Sequence, residues 1–159
     1  MLPTIGIETI MGKYVHLREL AADWLVIYCL PGADAAAQAS DAEDQRERRA
    51  YRQHEAVFAH RQVRVASLSS EPRKVQIRAM LMHELNHHML LDPDLLIADA
   101  LGLPTLTAGA ARCYDRLALI ARNGFIEHVF YPLERGGRSP AQVLAWMDVH
   151  VWRACIDAG

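Results

Sequence analysis

Trp24-Leu25-Val26-Ile27-Tyr28-Cys29-Leu30 is apolar without interruption, and it is bounded by Ala21-Ala22-Asp23 on one side and Pro31-Gly32 on the other. Its centre is β-branched and aromatic, and a short apolar run without alternation fits a strand covered on both faces. Such a strand lies inside a sheet, so the chain must supply a layer on each side of it. On the N-terminal side, Ile5 to Ile10 and Tyr14 to Leu17 flank Met11-Gly12-Lys13, which predicts a hairpin turning at Gly12. On the C-terminal side, Pro31 to Ala39 is small and alanine-rich and reads as a loop. Ser40-Asp41-Ala42-Glu43 then supplies a capping box, with Ser40 as N-cap of a helix running to about His60. Asp41, Glu43 and Asp44 stand in its first turn, where the helix dipole favours acids. Arg46, Arg48, Arg49 and Arg52 follow with Glu47 interleaved, the pattern of a solvated helix face laced by i,i+4 pairs.

Further along, Val63 to Leu68 alternates as a strand does, and Ser70-Glu71-Pro72 opens a helix through Val75, Ile77, Met80 and Leu81. His88 to Leu91 is a short apolar stretch. Asp92-Pro93-Asp94 turns into a short helix, Leu95 to Leu101, closed by Gly102 and Pro104. Tyr114 to Ala121 and Phe125 to Tyr131 are β-rich runs joined by Arg122-Asn123-Gly124, in which Asn-Gly is the strongest short hairpin signal. Ser139-Pro140 caps a last helix carrying Val143, Leu144, Trp146, Met147 and Val151. The order is that of an α/β domain, a mixed central sheet flanked by helices, with an N-terminal hairpin and an antiparallel pair at its end.

Composition narrows the function. The 159 residues are 52% hydrophobic and 23% charged, a size and balance that predict one soluble domain over residues 1–159. Seventeen basic against nineteen acidic side chains, a net charge of -2, give no broad field for a phosphate backbone, so nucleic acid is not expected as a partner. No apolar run approaches the ~20 residues of a membrane helix, and Met1-Leu2-Pro3-Thr4-Ile5 lacks the basic flank of a signal peptide. A cytoplasmic location without membrane contact is the expectation. Cys29, Cys113 and Cys155 are too few and scattered for a disulfide framework and predict reduced thiols.

Several stretches, taken in order, resemble the peroxiredoxins, the thioredoxin-fold antioxidant oxidoreductases of the alkyl hydroperoxide reductase C and thiol-specific antioxidant type. The branch most similar is that of the bacterioferritin comigratory protein. The resemblance is carried by Leu17-Arg18-Glu19-Leu20, Leu25-Val26-Ile27-Tyr28, Pro31 and Tyr51-Arg52-Gln53-His54-Glu55. It continues through Leu90-Leu91-Asp92-Pro93-Asp94, Ala98 to Thr105, Arg116-Leu117-Ala118-Leu119 and Gly124 to Pro132. It implies a thioredoxin-like fold, no cofactor, and a homodimer or another protein as partner. It also implies a peroxidatic cysteine at the N-terminus of the long helix, in a Pro-x-x-x-Thr-x-x-Cys pattern. A thiolate must attack the O–O bond there, its pKa lowered by the helix end and a nearby arginine. Counted from Pro31, the Thr and Cys positions hold Ala35 and Gln38. Aligned back from Tyr51-Arg52, the peroxidatic position is Asp44 and the resolving position, five residues on, is Arg49. Neither register supplies a thiol. The peroxide-polarising arginine of the family corresponds to Arg116. The expectation is a degenerate peroxiredoxin whose pseudo-active site comprises Pro31, Asp44, Arg49 and Arg116, with Asp44 supplying the negative charge that faces Arg116.

Two other chemistries compete. Cys29, inside an apolar strand, reads as a buried and inert thiol, whereas Cys113, close in sequence to Arg116, is the better candidate for residual thiol oxidoreductase activity. His83-Glu84-Leu85-Asn86-His87 matches H-E-x-x-H, in which two histidines on one helical face bind zinc and the glutamate activates water for hydrolysis. The resemblance places the helix end near Leu85, and Asn86 suits a terminus. His83 and His87 are therefore not expected to share a face.

Overall fold

The computed structural model describes residues 1–32, 39–108 and 111–152, with 39–41, 108 and 152 described by their backbone alone. The hairpin forms as its glycine turn predicts: β1 (Gly6–Thr9) pairs antiparallel with β2 (Tyr14–His16), and Gly12 takes a φ of 83° in the turn. A short helix, α1 (Leu17–Leu20), leads to β3 (Leu25–Cys29), every residue of which is buried. After it come α2 (Ala39–His60), β4 (Arg64–Ser69), α3 (Arg73–His83), β5 (His88–Leu91) and α4 (Leu96–Leu101). The chain continues through β6 (Thr105–Ala108), β7 (Ala111–Tyr114), β8 (Leu117–Arg122) and β9 (Phe125–Phe130) to α5 (Ser139–Met147), which ends in a π-helical turn over Asp148–Trp152.

One mixed sheet has the order β2-β1-β5-β4-β3-β8-β9, while β6 and β7 form a separate antiparallel ribbon. Strands β3, β4 and β5 run parallel, and β8 lies antiparallel on the other side of β3. The alternation of side chains along β3 splits the interior in two. Leu25, Ile27 and Cys29 join Leu68, Leu90, Ile97 and Leu119 on one face. Val26, Tyr28 and Leu30 meet Tyr51 and Phe58 of α2 and Val143 and Met147 of α5 on the other. A third cluster, Ile10, Ala79, Leu85 and Met89, lies among the hairpin turn, α3 and β5. Among the described residues, no helix is long and apolar enough to cross a membrane.

Several local expectations are corrected. The long helix already includes Ala39, so Ser40 is not its N-cap and Asp44 stands beyond the first turn. Tyr114 to Ala121 is not one strand: β7 ends at Tyr114 and β8 begins at Leu117, with a bend at Asp115-Arg116, where the Arg116 N–H donates to Asp115 Oδ1 at 2.7 Å. Ser139 is the first residue of α5 rather than its cap. Its hydroxyl is hydrogen-bonded to that of Tyr51 at 2.5 Å, a tertiary partner that takes it away from the helix end. The Asn123-Gly124 turn forms as expected, with φ of 53° and 76° joining β8 to β9.

Ile27 is 1% exposed at the centre of β3 and belongs to the larger core. Ile27→Ala should lower unfolding stability by about 2–5 kcal/mol, because the packed strand cannot collapse into the space left. Urea denaturation checks this, as a shift in midpoint without a change in slope.

Candidate functional site

The C-terminal end of β3 delivers Pro31, which is buried, and Gly32, whose φ is 98°. A Cβ on Gly32 would lie 2.5 Å from Glu71 Cγ, so a glycine is required there by both conformation and space. The Gly32 N–H donates to Asp44 Oδ2 at 2.9 Å. Asp44 is fully buried, and its other oxygen, Oδ1, accepts from the Arg116 guanidinium. The bend at Asp115-Arg116, between β7 and β8, places that guanidinium against α2. Three separate segments therefore converge on one carboxylate. Burial pushes the Asp44 carboxyl above the usual range, while Arg116, the Gly32 amide and Arg48 pull in the other direction.

Around this pair lie more buried charges than a solvated helix face would hold. Glu43 accepts from the Gly136 N–H at 3.1 Å and from Arg46, and the Gly136 amide is the main reason its pKa is lowered. Arg48 is buried and pairs with Glu71 at 3.0 Å, and Glu71 N–H donates to Ser69 Oγ at 3.1 Å. Glu47 is fully buried, and neither of its oxygens has a hydrogen-bond partner among the described residues. The Ser139 hydroxyl approaches it but is engaged by Tyr51. Burial raises the Glu47 pKa to about 7, against the attraction of Arg116 and with the neighbouring Glu43 and Asp44 adding to the rise. The expectation of a fully solvated arginine face thus holds for Arg49, which is exposed, but not for Glu47 and Arg48, which α2 turns inward.

Arg49 consequently stands apart from Asp44 and Arg116, whereas Pro31, Gly32, Asp44 and Arg116 come together. Ala35, Gln38 and Cys155 lie outside the described residues. Glu47, Arg48 and Glu71 were not singled out by the sequence. The only hint of Glu47 was its i+3 spacing from Asp44, and Arg48 is explained only by a partner 23 residues away.

The described thiols are poorly placed for redox chemistry. Cys29 is fully buried and its pKa is driven upward by burial and then by Asp92. Cys113 is 5% exposed, and burial, Asp115 and Asp44 all raise its pKa. The H-E-x-x-H segment is broken by its own backbone. Helix α3 ends at His83, and Glu84 caps it in the left-handed conformation with φ 53°. His83 Nε2 is hydrogen-bonded to Gln45, while His87 Nε2 meets the Tyr28 hydroxyl at 2.6 Å and its Nδ1 meets Glu55 at 2.8 Å. The two imidazoles serve different partners and do not converge on one point.

No family model and no curated protein matches the chain. Solved structures do. The Mycobacterium tuberculosis peroxidoxin BcpB superposes with a TM-score of 0.78 at 14% identity, over 94% of each chain. The Xanthomonas campestris bacterioferritin comigratory protein, described for its alkyl peroxide reduction activity, gives 0.77 at 17% identity over 94% of this chain and 96% of that one. Reduced Prx3 from Vibrio vulnificus gives 0.69 at 24% identity over 84% of each chain. The fold is that of the peroxiredoxins. Within this peroxiredoxin fold the buried Asp44–Arg116 pair occupies the junction of β3, α2 and the β7–β8 bend.

Two outcomes follow from the site. Asp44→Asn breaks the buried ion pair between positions 44 and 116 and should cost about 3 kcal/mol of stability, measured by urea unfolding at pH 7. Glu47 behaves oppositely. The folded chain keeps the Glu47 proton up to about pH 7, whereas an unfolded glutamate releases it near the ordinary 4.5. Folding therefore takes up a proton between those values, so stability rises as the pH falls from 7 toward 4.5, and this contribution is absent above pH 7. Glu47→Gln should stabilise the protein at pH 8 by roughly 3 kcal/mol and flatten that slope, as read from unfolding curves between pH 5 and 8.

Proposed function

We propose that the protein is a peroxiredoxin-like scaffold of the thiol-dependent antioxidant lineage that does not reduce peroxides and serves in binding. In this reading Asp44 holds the peroxidatic position and Arg49 the resolving one. The observation that supports it is the Asp44–Arg116 pair: a fully buried carboxylate engages the arginine that the resemblance assigns to the peroxide. Both a thiolate and a carboxylate satisfy a buried guanidinium. Only sulfur can attack the O–O bond, become a sulfenic acid and return through a disulfide. A carboxylate supports none of these steps, whatever its ionisation.

The two rival activities are less well supported. Among the described residues, a residual thiol oxidoreductase would have to use Cys29, sealed in the core strand, or Cys113, whose thiol is held above its ordinary pKa. A zinc hydrolase would need His83 and His87 to turn toward a common ion, against the helix stop at Glu84 and their existing hydrogen bonds.

Stopped-flow peroxide consumption with a dithiol reductant should show no rapid turnover for the unmodified chain. Asp44→Cys combined with Arg49→Cys should give a measurable rate, with the pKa of the new thiol at position 44 below the ~8.5 of a free cysteine. Rapid turnover by the unmodified chain, abolished by Cys113→Ser, would restore the enzyme reading.

A further inference from the structure

A cavity of about 390 Å³ opens between the β1–β2 turn, the end of α3 and the start of β5, in the size range of small-molecule sites. Its walls are apolar, with Ile10, Met11, Val15, Met80 and Met89 among them, and the three thioether side chains can adapt to an irregular guest. Its polar lining includes Lys13 and His88, and none of the lining residues carries a carboxylate. The nearby acid of the hairpin, Glu8, is taken by Arg73, and Lys13 makes no ion pair among the described residues. Burial, Arg64 and His87 all lower the pKa of His88, which leaves its imidazole neutral at pH 7 and able to donate one hydrogen bond.

The backbone builds this cavity. Glu84 in the left-handed conformation stops α3, and Leu85 packs with Ile10 of the hairpin turn and Met89 of β5 at the floor of the cavity, while Asn86 to His88 line its side. His87 reaches inward to Tyr28 and Glu55, which fixes the segment from behind. An apolar recess with one uncompensated cation at its rim matches a ligand that is apolar along its length and anionic at one end. A neutral apolar guest leaves the ammonium unused, and a polyanion finds only one cation.

We propose that the cavity between the β1–β2 turn, α3 and β5 binds a medium-chain carboxylate, with the carboxylate on Lys13 and the alkyl chain between Met80, Met89, Ile10 and Val15. The site lies apart from the Asp44–Arg116 junction, shares no residue with it, and does not depend on the reading of that junction as a lapsed peroxidase.

The test uses the full chain with methyl-labelled methionine and decanoate as the probe. Binding should shift the Met80 and Met89 methyl resonances saturably, with Met82, which is exposed on α3, and Met147, which packs in the opposite core, unchanged. Octanoate should bind roughly tenfold more weakly, the difference made by two buried methylenes. Lys13→Glu, a change at an exposed position, should weaken decanoate by about tenfold and leave decanol within about twofold. Val15→Trp should abolish both, and the Lys13 variant decides the matter even if that bulky substitution does not fold. Shifts spread equally over Met82 and Met147, no saturation below about 1 mM, or undiminished decanoate binding by Lys13→Glu would each overturn the proposal.

Discussion

A carboxylate removed from water persists only where a cation and hydrogen-bond donors replace its hydration. Asp44 meets both conditions through contacts that span 12 residues to Gly32 and 72 to Arg116. That reach makes the pair a tie between distant parts of the chain. It fixes the end of β3 against α2, and it fixes the β7–β8 bend against both. The surrounding features follow from keeping this tie dry and compact. Gly32 must lack a Cβ because Glu71 presses against it, and Glu71 is there because it neutralises Arg48, the next inward-facing cation of α2.

The same helix connects the junction to the core. Tyr51, two turns beyond Asp44, stacks on Tyr28 of β3 with ring centroids 3.9 Å apart and planes within 4°. Each ring has its hydroxyl satisfied in a different direction, Tyr51 by Ser139 of α5 and Tyr28 by His87 of the segment before β5. The stack is therefore a hinge-free contact in which apolar faces pack and polar edges fasten two more elements. Buried hydroxyls that found no partner would destabilise this layer, so α5 and the 84–88 segment are held where those hydrogen bonds can form.

What the sequence disclosed follows from how local each signal is. The all-apolar β3, the Gly12 hairpin and the Asn123-Gly124 turn were legible because conformation and burial there depend on neighbouring residues. Ser139 and the Arg46–Arg52 run were misread because their outcome depends on tertiary partners. Ser139 finds Tyr51 across 88 positions, and Arg48 finds Glu71 on another element. The bend at Asp115-Arg116 was hidden for a related reason. Both flanking runs are β-formers, and only the aspartate accepting the next amide interrupts them. Position 44 could be singled out only through the family resemblance, since nothing in its local sequence marks an aspartate in an acidic helix turn as buried.

The position of Asp44 within α2 changes the electrostatic account of the site. An acid in the first turn draws on free amide groups and the helix dipole, an effect that fades beyond that turn. Because α2 already includes Ala39, Asp44 lies past that reach and depends instead on one amide from Gly32 and on the Arg116 charge. Two consequences follow. The Arg116 charge is committed to Asp44, so the junction presents a nearly neutral pair in place of an open cation. Glu47, one turn further on, has neither oxygen hydrogen-bonded among the described residues, and burial beside two other carboxylates raises its pKa to about 7, so it is protonated in part at neutral pH. The anion that the Arg116 charge holds directly is therefore that of Asp44, and the charge of Glu47 is only partly expressed at neutral pH.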